Sequence, residues 1–424
     1  MRVLWICNFI PPILAQSLYR KAGNKEGWVT GMMSALLKED EVTFGVAFPV
    51  GKDEKVSGKA DGISYYGFHE DGLKAENYVA SLEAELGYIC EAFSPDVIHT
   101  FGTEFPHTLA LLKQKEWCKR TLVHLQGLMV PCGEVYEAGL PKDVVERATF
   151  RDLLKRDAIW QQKEKFLQRG KNETAALKLA MHVAGRTEFD RTYVEKMNPS
   201  ATYYMLNETL RPTFYGPVWE RDKITPHRIF ASQGNYPLKG IHFMIEAMAE
   251  IRKKYEDAHL FVAGDKITGY ESLKEKLKIS SYGKYLRELI AKYHLEDAIT
   301  FLGSINGKRM LLEFQQSEVF ALTSVLENSP NSLGEAMILG MPCVATNVGG
   351  VPSLAEDGKE VLLCQKEDAK DLAEKIIKVF DDPGSADAMG QQARSRAQRI
   401  HDPKANYKML HWIYESILED IGKK

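Results

Sequence analysis

The sequence predicts an α/β protein built on two parallel β-sheets, each covered by helices on both faces. Three observations carry this. Short apolar runs alternate with helical stretches through most of the chain, five in each half, as strands buried between helices do. A cluster of Pro212, Gly216, Pro217 and Pro226 separates the two series and suits an extended linker. The length of 424 residues leaves room for two domains or more.

The first series comprises Val3–Cys7, Val42–Phe48, Val97–Thr100, Thr121–Leu125 and Met181–Ala184. Its opening run could imitate a secretory signal. Asn8 interrupts it, however, Pro11-Pro12 break it, and no small-residue cleavage site follows, so a buried first strand is expected. Between Gly133 and Leu179 the pattern turns helical, over Asp143–Arg156, Ile159–Gln168 and Glu173–Ala180, with Gly170 as a stop. The second series comprises Ile229–Ser232, His259–Ala263, Ile299–Leu302, Val319–Thr323 and Cys343–Thr346. Near the end, Asp402 before Pro403 marks a break, and Leu410, Trp412, Ile413 and Ile417 recur at helical spacing. The expected organisation is an N-terminal domain over 1–206 with a helical insert at about 133–180, a linker over 207–227 and a second domain over 228–400. A terminal helix over 401–424 is expected to pack back on the first domain.

Composition narrows the function classes. With 44% apolar and 27% charged residues the chain has ample core. A net charge of −3 offers no basic field for nucleic acid. The six cysteines are scattered, without a C-x-x-C pair or metal-ligand spacing, and read as thiols of a reducing compartment. No apolar run approaches the roughly 20 residues that cross a bilayer, so a soluble, cytoplasmic protein is expected. Residues 142–171 hold nine Lys or Arg against five Asp or Glu. This stretch reads either as a solvated helical face or as a basic amphipathic surface for an anionic acceptor or the inner face of a membrane.

The chemistry-bearing residues lie in the second half. Glu327 and Glu335 stand eight apart in Glu327-Asn-Ser-Pro-Asn-Ser-Leu-Gly-Glu335, after the apolar run Val319–Ser324. Strand, turn and helix in that order place one carboxylate on the turn and one in the helix, with the helix-start amides of Asn331, Ser332 and Leu333 between them. Carboxylates accept from hydroxyls and amides accept an anion, which fits a ligand carrying both hydroxyls and phosphates. A second turn, Ser232-Gln-Gly-Asn-Tyr-Pro-Leu-Lys239-Gly240, also follows a strand and opens a helix. Lys239 there supplies a flexible cation for a diphosphate. No G-x-G-x-x-G follows a strand, which excludes a dinucleotide site, and no G-x-S-x-G elbow is present.

Together these residues resemble the retaining GT-B glycosyltransferases of the "glycosyltransferase group 1" family. The matching pieces are Pro237-Leu-Lys239-Gly240, Asp257–Gly264, Ile299–Gly303, and the block Glu327-x-x-Pro330-Asn331-x-x-x-Glu335-Ala336 with Gly340-x-Pro342-x-Val344-Ala345 and Gly349-Gly350. In the first half the likeness is weaker: Lys25-Glu26-Gly27-Trp28, Asp96-Val-Ile-His99, Gly102-Thr-Glu104 and Gly185-Arg186-Thr-Glu188.

The resemblance implies two Rossmann-like β/α/β domains facing a deep interdomain cleft. It also implies transfer of a sugar from a nucleotide diphosphate donor to a glycan, lipid-linked or small acceptor, with no cofactor and no metal. Lys239 and the helix-start amides would hold the diphosphate, Glu335 the ribose and Glu327 the transferred sugar. Gly27, Asn235, Gln126 and Arg186 would complete the substrate contacts. Two positions depart from the pattern. The family's diphosphate arginine falls on Gly234, leaving Arg186 or Arg211 as substitutes, and its strand histidine falls on Gln126, which cannot exchange protons near neutral pH. His124, nearby, reads as a core or supporting residue. These departures keep two alternatives open: a nucleotide-sugar epimerase or hydrolase on the same fold, and a binding protein without activity.

Overall fold

The computed structural model describes residues 1–20, 27–38, 41–269 and 272–422, and the chain divides into two units. Unit 1 comprises Met1–Val130, Phe166–Pro212 and Ile400–Lys424. Among the described residues its sheet has eight strands: β1 (Arg2–Ile6), β2 (Thr43–Val50), β3 (Ser57–Ala60), β4 (Ile63–His69), β5 (Val97–Phe101), β6 (Thr121–His124), β7 (His182–Gly185) and β8 (Thr202–Met205). Their order is β3-β4-β2-β1-β5-β6-β7-β8, parallel except for the β3–β4 pair. The helix Pro403–Gly422 belongs to this unit, with Leu410, Ile413, Tyr414 and Ile417 buried in one cluster with Val3 and Trp5 of β1. Trp412 is 53% exposed, because it lies off the face that the 410, 413, 414 and 417 series shares.

Unit 2 comprises Pro131–Lys165 and Thr213–Arg399. Its strands are β9 (Arg228–Ala231), β10 (His259–Ala263), β11 (Ile299–Gly303), β12 (Val319–Leu322), β13 (Cys343–Thr346) and β14 (Leu362–Cys364). They lie in the order β11-β10-β9-β12-β13-β14, all parallel. Counted from β9 this is the 3-2-1-4-5-6 order of a Rossmann sheet, whose direction of winding switches between β9 and β12.

All ten expected strands are present, and β3, β4, β8 and β14 are additions. Exposure accounts for two of them, since β3 is an almost wholly exposed edge strand and β8 buries one residue of four, while β14 is apolar but only three residues long.

The helical insert differs from expectation in three ways. Asp143–Arg156 is interrupted, because Thr149 and Asp152 form a capping box that starts a new helix at Phe150. Gly170 stops nothing, and a single helix runs Ile159–Leu179 through it. The glycine instead permits close packing, since a Cβ there would lie 2.6 Å from Val130 Cγ2 and 3.2 Å from Val130 N. Finally, residues 131–165 group with unit 2 instead of an N-terminal domain spanning 1–206. Specific bonds hold them: His242 Nε2 donates to the Ala138 carbonyl at 2.8 Å, and Ser281 N donates to Asp152 Oδ2 at 2.7 Å.

Candidate active site

In unit 2 the turns after β9 and β12 leave the carboxyl edge of the sheet at its switch point, where α/β sheets bind ligands. The first passes through a 3-10 turn, Pro237–Lys239, and Gly240 at φ 65° into the helix Ile241–Ile251. Glycine is needed there for its left-handed backbone and for space, because a Cβ would lie 1.9 Å from the Thr323 carbonyl oxygen. The close approach lets Val325 N donate to the Leu238 carbonyl at 2.8 Å, and Thr323 Oγ1 to the Lys239 carbonyl at 2.7 Å. Gly349, at φ 50°, comes equally near the Glu327 carbonyl, which accepts from Gly350 N at 3.0 Å. Three backbone segments are thereby fixed around one point.

At that point Lys239 Nζ donates to Glu327 Oε1 at 2.5 Å, and Ser324 Oγ donates to the same oxygen at 2.6 Å. The two charged side chains are 17% and 12% exposed. Burial pulls the Lys239 ammonium down, but the Glu327 carboxylate and Tyr236 outweigh it and hold the group above the usual lysine range. Lys239 is therefore a permanent cation at neutral pH, with three N–H donors of which Glu327 takes one. The helix Asn331–Leu339 starts at Pro330 without a side-chain cap, so its positive end is not covered by a capping carboxylate or hydroxyl. Asn331 and Ser332 are half-buried there, and Leu333 and Glu335 are buried.

Gly234 is packed into the core of this unit: a Cβ would meet Ile241 Cγ1 at 2.6 Å and Val262 Cγ1 at 2.7 Å. The arginine missing from this position has no room on this backbone. Beside it, Asn235 Nδ2 faces Asp265 Oδ2 at 3.5 Å, and Asn235 Oδ1 is buried without a hydrogen-bond partner among the described residues.

The expected residues of unit 1 sit in a different environment. Glu208, fully buried, accepts from Arg186 Nη1 at 2.7 Å and from Gln126 Nε2 at 2.9 Å. Arg186 thus has its charge matched inside the unit. Behind them runs a buried chain of side chains. Trp5 Nε1 donates to the Tyr414 hydroxyl at 2.9 Å, which leaves that hydroxyl to donate to His99 Nδ1 at 2.7 Å. His99 Nε2 then donates to His124 Nδ1 at 3.2 Å, and the remaining His124 nitrogen faces Glu208 Oε1 at 3.8 Å. Burial lowers His99 well below the usual histidine range and His124 to about 3, so both rings are neutral. His401 Nδ1 donates to the Glu208 carbonyl at 2.8 Å, and burial takes it down to about 4.

A second buried group stands beyond β5. Glu173 accepts from Thr103 Oγ1 at 2.8 Å and from the amides of Met129 and Val130 at 2.9 to 3.2 Å. Burial nonetheless pushes its carboxyl up to about 7. His107, fully buried, is paired with Glu70 at 3.0 Å.

Of the expected residues, the structure brings Lys239 and Glu327 into contact and sets Asn331, Ser332, Leu333 and Glu335 on the adjoining helix. It ties Gln126 to Arg186 through Glu208. Gly27 opens the helix Gly27–Leu36, while Lys25 and Glu26 lie outside the described residues. Ser324, Tyr236, Glu208 and Glu173 were missed. Ser324 ends an apolar run, where a hydroxyl at a strand end is a usable signal. Glu208 lies in a stretch with no periodicity and gives none.

Residues 220–396 match a family model described as glycosyl transferases group 1. N-acetyl-alpha-D-glucosaminyl L-malate synthase of Bacillus anthracis is 30% identical over 133 residues, covering 31% of this chain and 34% of that protein. The first curated relatives are all matched over less than half of their own length. Among solved structures, sucrose-phosphate synthase from Thermosynechococcus elongatus superposes with a TM-score of 0.72 at 17% identity, covering 99% of this chain and 100% of that one. Anabaena HepE, solved in complex with UDP-glucose, gives 0.65 at 16% identity over the whole of both chains. These likenesses establish a common fold, with two Rossmann-like parallel-sheet domains.

Proposed function

We propose that this chain, whose residues 220–396 match the glycosyl transferases group 1 model, moves a sugar from a nucleotide diphosphate donor to an acceptor hydroxyl with retention at the anomeric carbon. The observation that carries the reading is the Lys239–Glu327 pair at the β9/β12 switch point, beside a helix start without a side-chain cap. HepE, whose structure holds UDP-glucose, supports a nucleotide sugar as the donor.

In this reading Lys239 and the amides of Asn331, Ser332 and Leu333 take the diphosphate oxygens, and no metal or cofactor is required. Glu335 accepts from the ribose hydroxyls, with Asn235 on the donor side. Glu327 accepts from hydroxyls of the transferred sugar. Its ion pair with Lys239 links sugar orientation to charge on the leaving group. The bond from the anomeric carbon to the diphosphate oxygen breaks, and the acceptor oxygen bonds that carbon on the same face. The acceptor's proton passes to the departing diphosphate, so no side chain has to act as a base. Gly27, Gln126 and Arg186 are assigned to substrate recognition in unit 1, the acceptor being a glycan, a lipid-linked glycan or a small molecule. The scattered free thiols favour the cytoplasm as its location.

The test is incubation with a panel of uridine, guanosine and thymidine diphosphate sugars, with and without candidate acceptors, reading released nucleotide. Release that requires an acceptor, with a product of unchanged anomeric configuration by NMR, is expected. Conversion or release without an acceptor would make the chain an epimerase or hydrolase. Full transfer rate in Glu327→Ala would remove the site assignment.

A further inference from the structure

Unit 2 carries a surface that the proposed reaction leaves unused. The helices Phe150–Lys155 and Leu273–Lys278 are joined at one end by two hydrogen bonds. Thr149 Oγ1 donates to the Ile279 carbonyl at 2.7 Å, and Ser281 N donates to Asp152 Oδ2 at 2.7 Å. Thr149 and Asp152 also form the capping box of the first helix, so capping and docking use the same pair.

These bonds consume the local acids. Asp152 is buried and also receives Arg151, whose other partner is Asp157. Glu275 is occupied in the capping box with Ser272. Among the described residues of these two helices, the exposed ones are all apolar or cationic. Phe150, Leu153, Leu154, Trp160, Leu273 and Leu277 are each between 49% and 75% exposed. Lys155, Arg156, Lys276 and Lys278 are exposed among them. Single exposed leucines are ordinary on a protein surface, but six large apolar side chains on neighbouring segments are not. Their spacing is that of one face in each helix: 150, 153 and 154 in the first, 273 and 277 in the second.

We propose that this face docks the protein on an anionic lipid surface. Leucine, phenylalanine and tryptophan reach the boundary between headgroups and acyl chains, while lysine and arginine on long stems meet the lipid phosphates. A protein partner suits it less, because interface cores are depleted in lysine and this face alternates lysine with leucine. The inference is independent of the transfer reaction. It extends the basic stretch 142–171 to a second helix, more than a hundred residues further along the chain.

Co-sedimentation of the full chain with vesicles tests it, using phosphatidylcholine alone and with about 30 mol% phosphatidylglycerol at about 0.15 M salt. Binding at least about tenfold stronger to the anionic vesicles is expected. Leu153→Asn with Leu154→Asn should lower it more than about tenfold, and so should Lys155→Gln, Arg156→Gln and Lys278→Gln together. All these positions are exposed, so both variants should keep the wild-type melting temperature and nucleotide-sugar turnover. Absence of vesicle binding, equal binding to neutral vesicles, or unchanged binding in both variants would each overturn the proposal. None of those results bears on acceptor-dependent turnover, so the two readings fail separately.

Discussion

The two units share a parallel sheet and differ in how they hold their polar groups. Unit 2 places its chemistry on two turns that follow neighbouring strands, fixed by backbone hydrogen bonds and glycines too close to a carbonyl for any side chain. Its central contact joins residues 88 apart, each in a motif of its own. Unit 1 places its polar groups in the core and joins the first part of the chain to its last helix: Trp5 to Tyr414 and His99 to Tyr414. One sheet type thus supports two strategies. A site at the switch point of strands can be written in short local segments, whereas a buried network depends on distant segments that meet only after folding.

The comparison breaks first at Glu208. Glu208→Ala leaves the buried Arg186 cation without its carboxylate, and such losses cost about 3–5 kcal/mol. Hydrogen exchange should rise in peptides covering β6 and β7 and stay unchanged in β9 and β12. A loss below about 1 kcal/mol would mean that the network is filler and not a support. Next comes Lys239. Lys239→Met should lower nucleotide release by roughly 10²–10³-fold with unchanged circular dichroism, as expected for loss of a donor that stabilises charge on a leaving group. Turnover within about fivefold of wild type would detach the switch-point pair from the chemistry.

Those two residues also mark how much the sequence reveals. Lys239, Glu327 and Glu335 were legible because each sits at a fixed offset from an apolar strand and a glycine. Most of the ten strands were legible because burial on both faces leaves a mainly apolar run. Glu208 was illegible because its partners at 126 and 186 share no local pattern with it, and its own segment reads only as a proline-bearing linker. Gly170 misled because a glycine inside a helix carries the same letter whether it ends the helix or admits a neighbour. Residues 131–165 misled because sequence order suggests membership of the first domain, while His242 and Ser281 hold them in the other unit.

A smaller effect separates close approach from backbone strain in unit 2. Gly240 and Gly358 both have positive φ, of 65° and 71°, but only Gly240 faces a carbonyl, since nothing lies within 4 Å of a Cβ at Gly358. Gly358→Ala should cost about 1–2 kcal/mol, the price of a left-handed alanine. Gly240→Ala should cost more, up to about 3 kcal/mol, and should loosen the amide of Val325 in hydrogen exchange. Equal costs would show that the turns after β9 and β12 can part without penalty.

The smallest effect is a pH slope, and it belongs to unit 1. His124 and His401 titrate at about 3 and about 4 in the folded chain, against about 6.5 when unfolded. Between those values the unfolded chain binds more protons, so their contribution to stability is present at neutral pH and is lost as pH falls. Glu173 acts in the opposite sense. Its folded value is about 7 against an ordinary 4.5, so across that window the folded chain binds more protons and stability falls as pH rises. Its slope therefore partly cancels that of the histidines between about pH 4.5 and 6.5. Glu173→Gln removes the cancelling group, while its amide oxygen can still accept from Met129 N. The acid-side loss of stability should then steepen by up to about 1.4 kcal/mol per pH unit, one proton's worth, in urea unfolding followed across that range. The steepening should be confined to unit 1 in hydrogen exchange. An unchanged slope would mean that Glu173 is ionised in the folded chain, held by the Thr103 hydroxyl and the two amides strongly enough to defeat its burial.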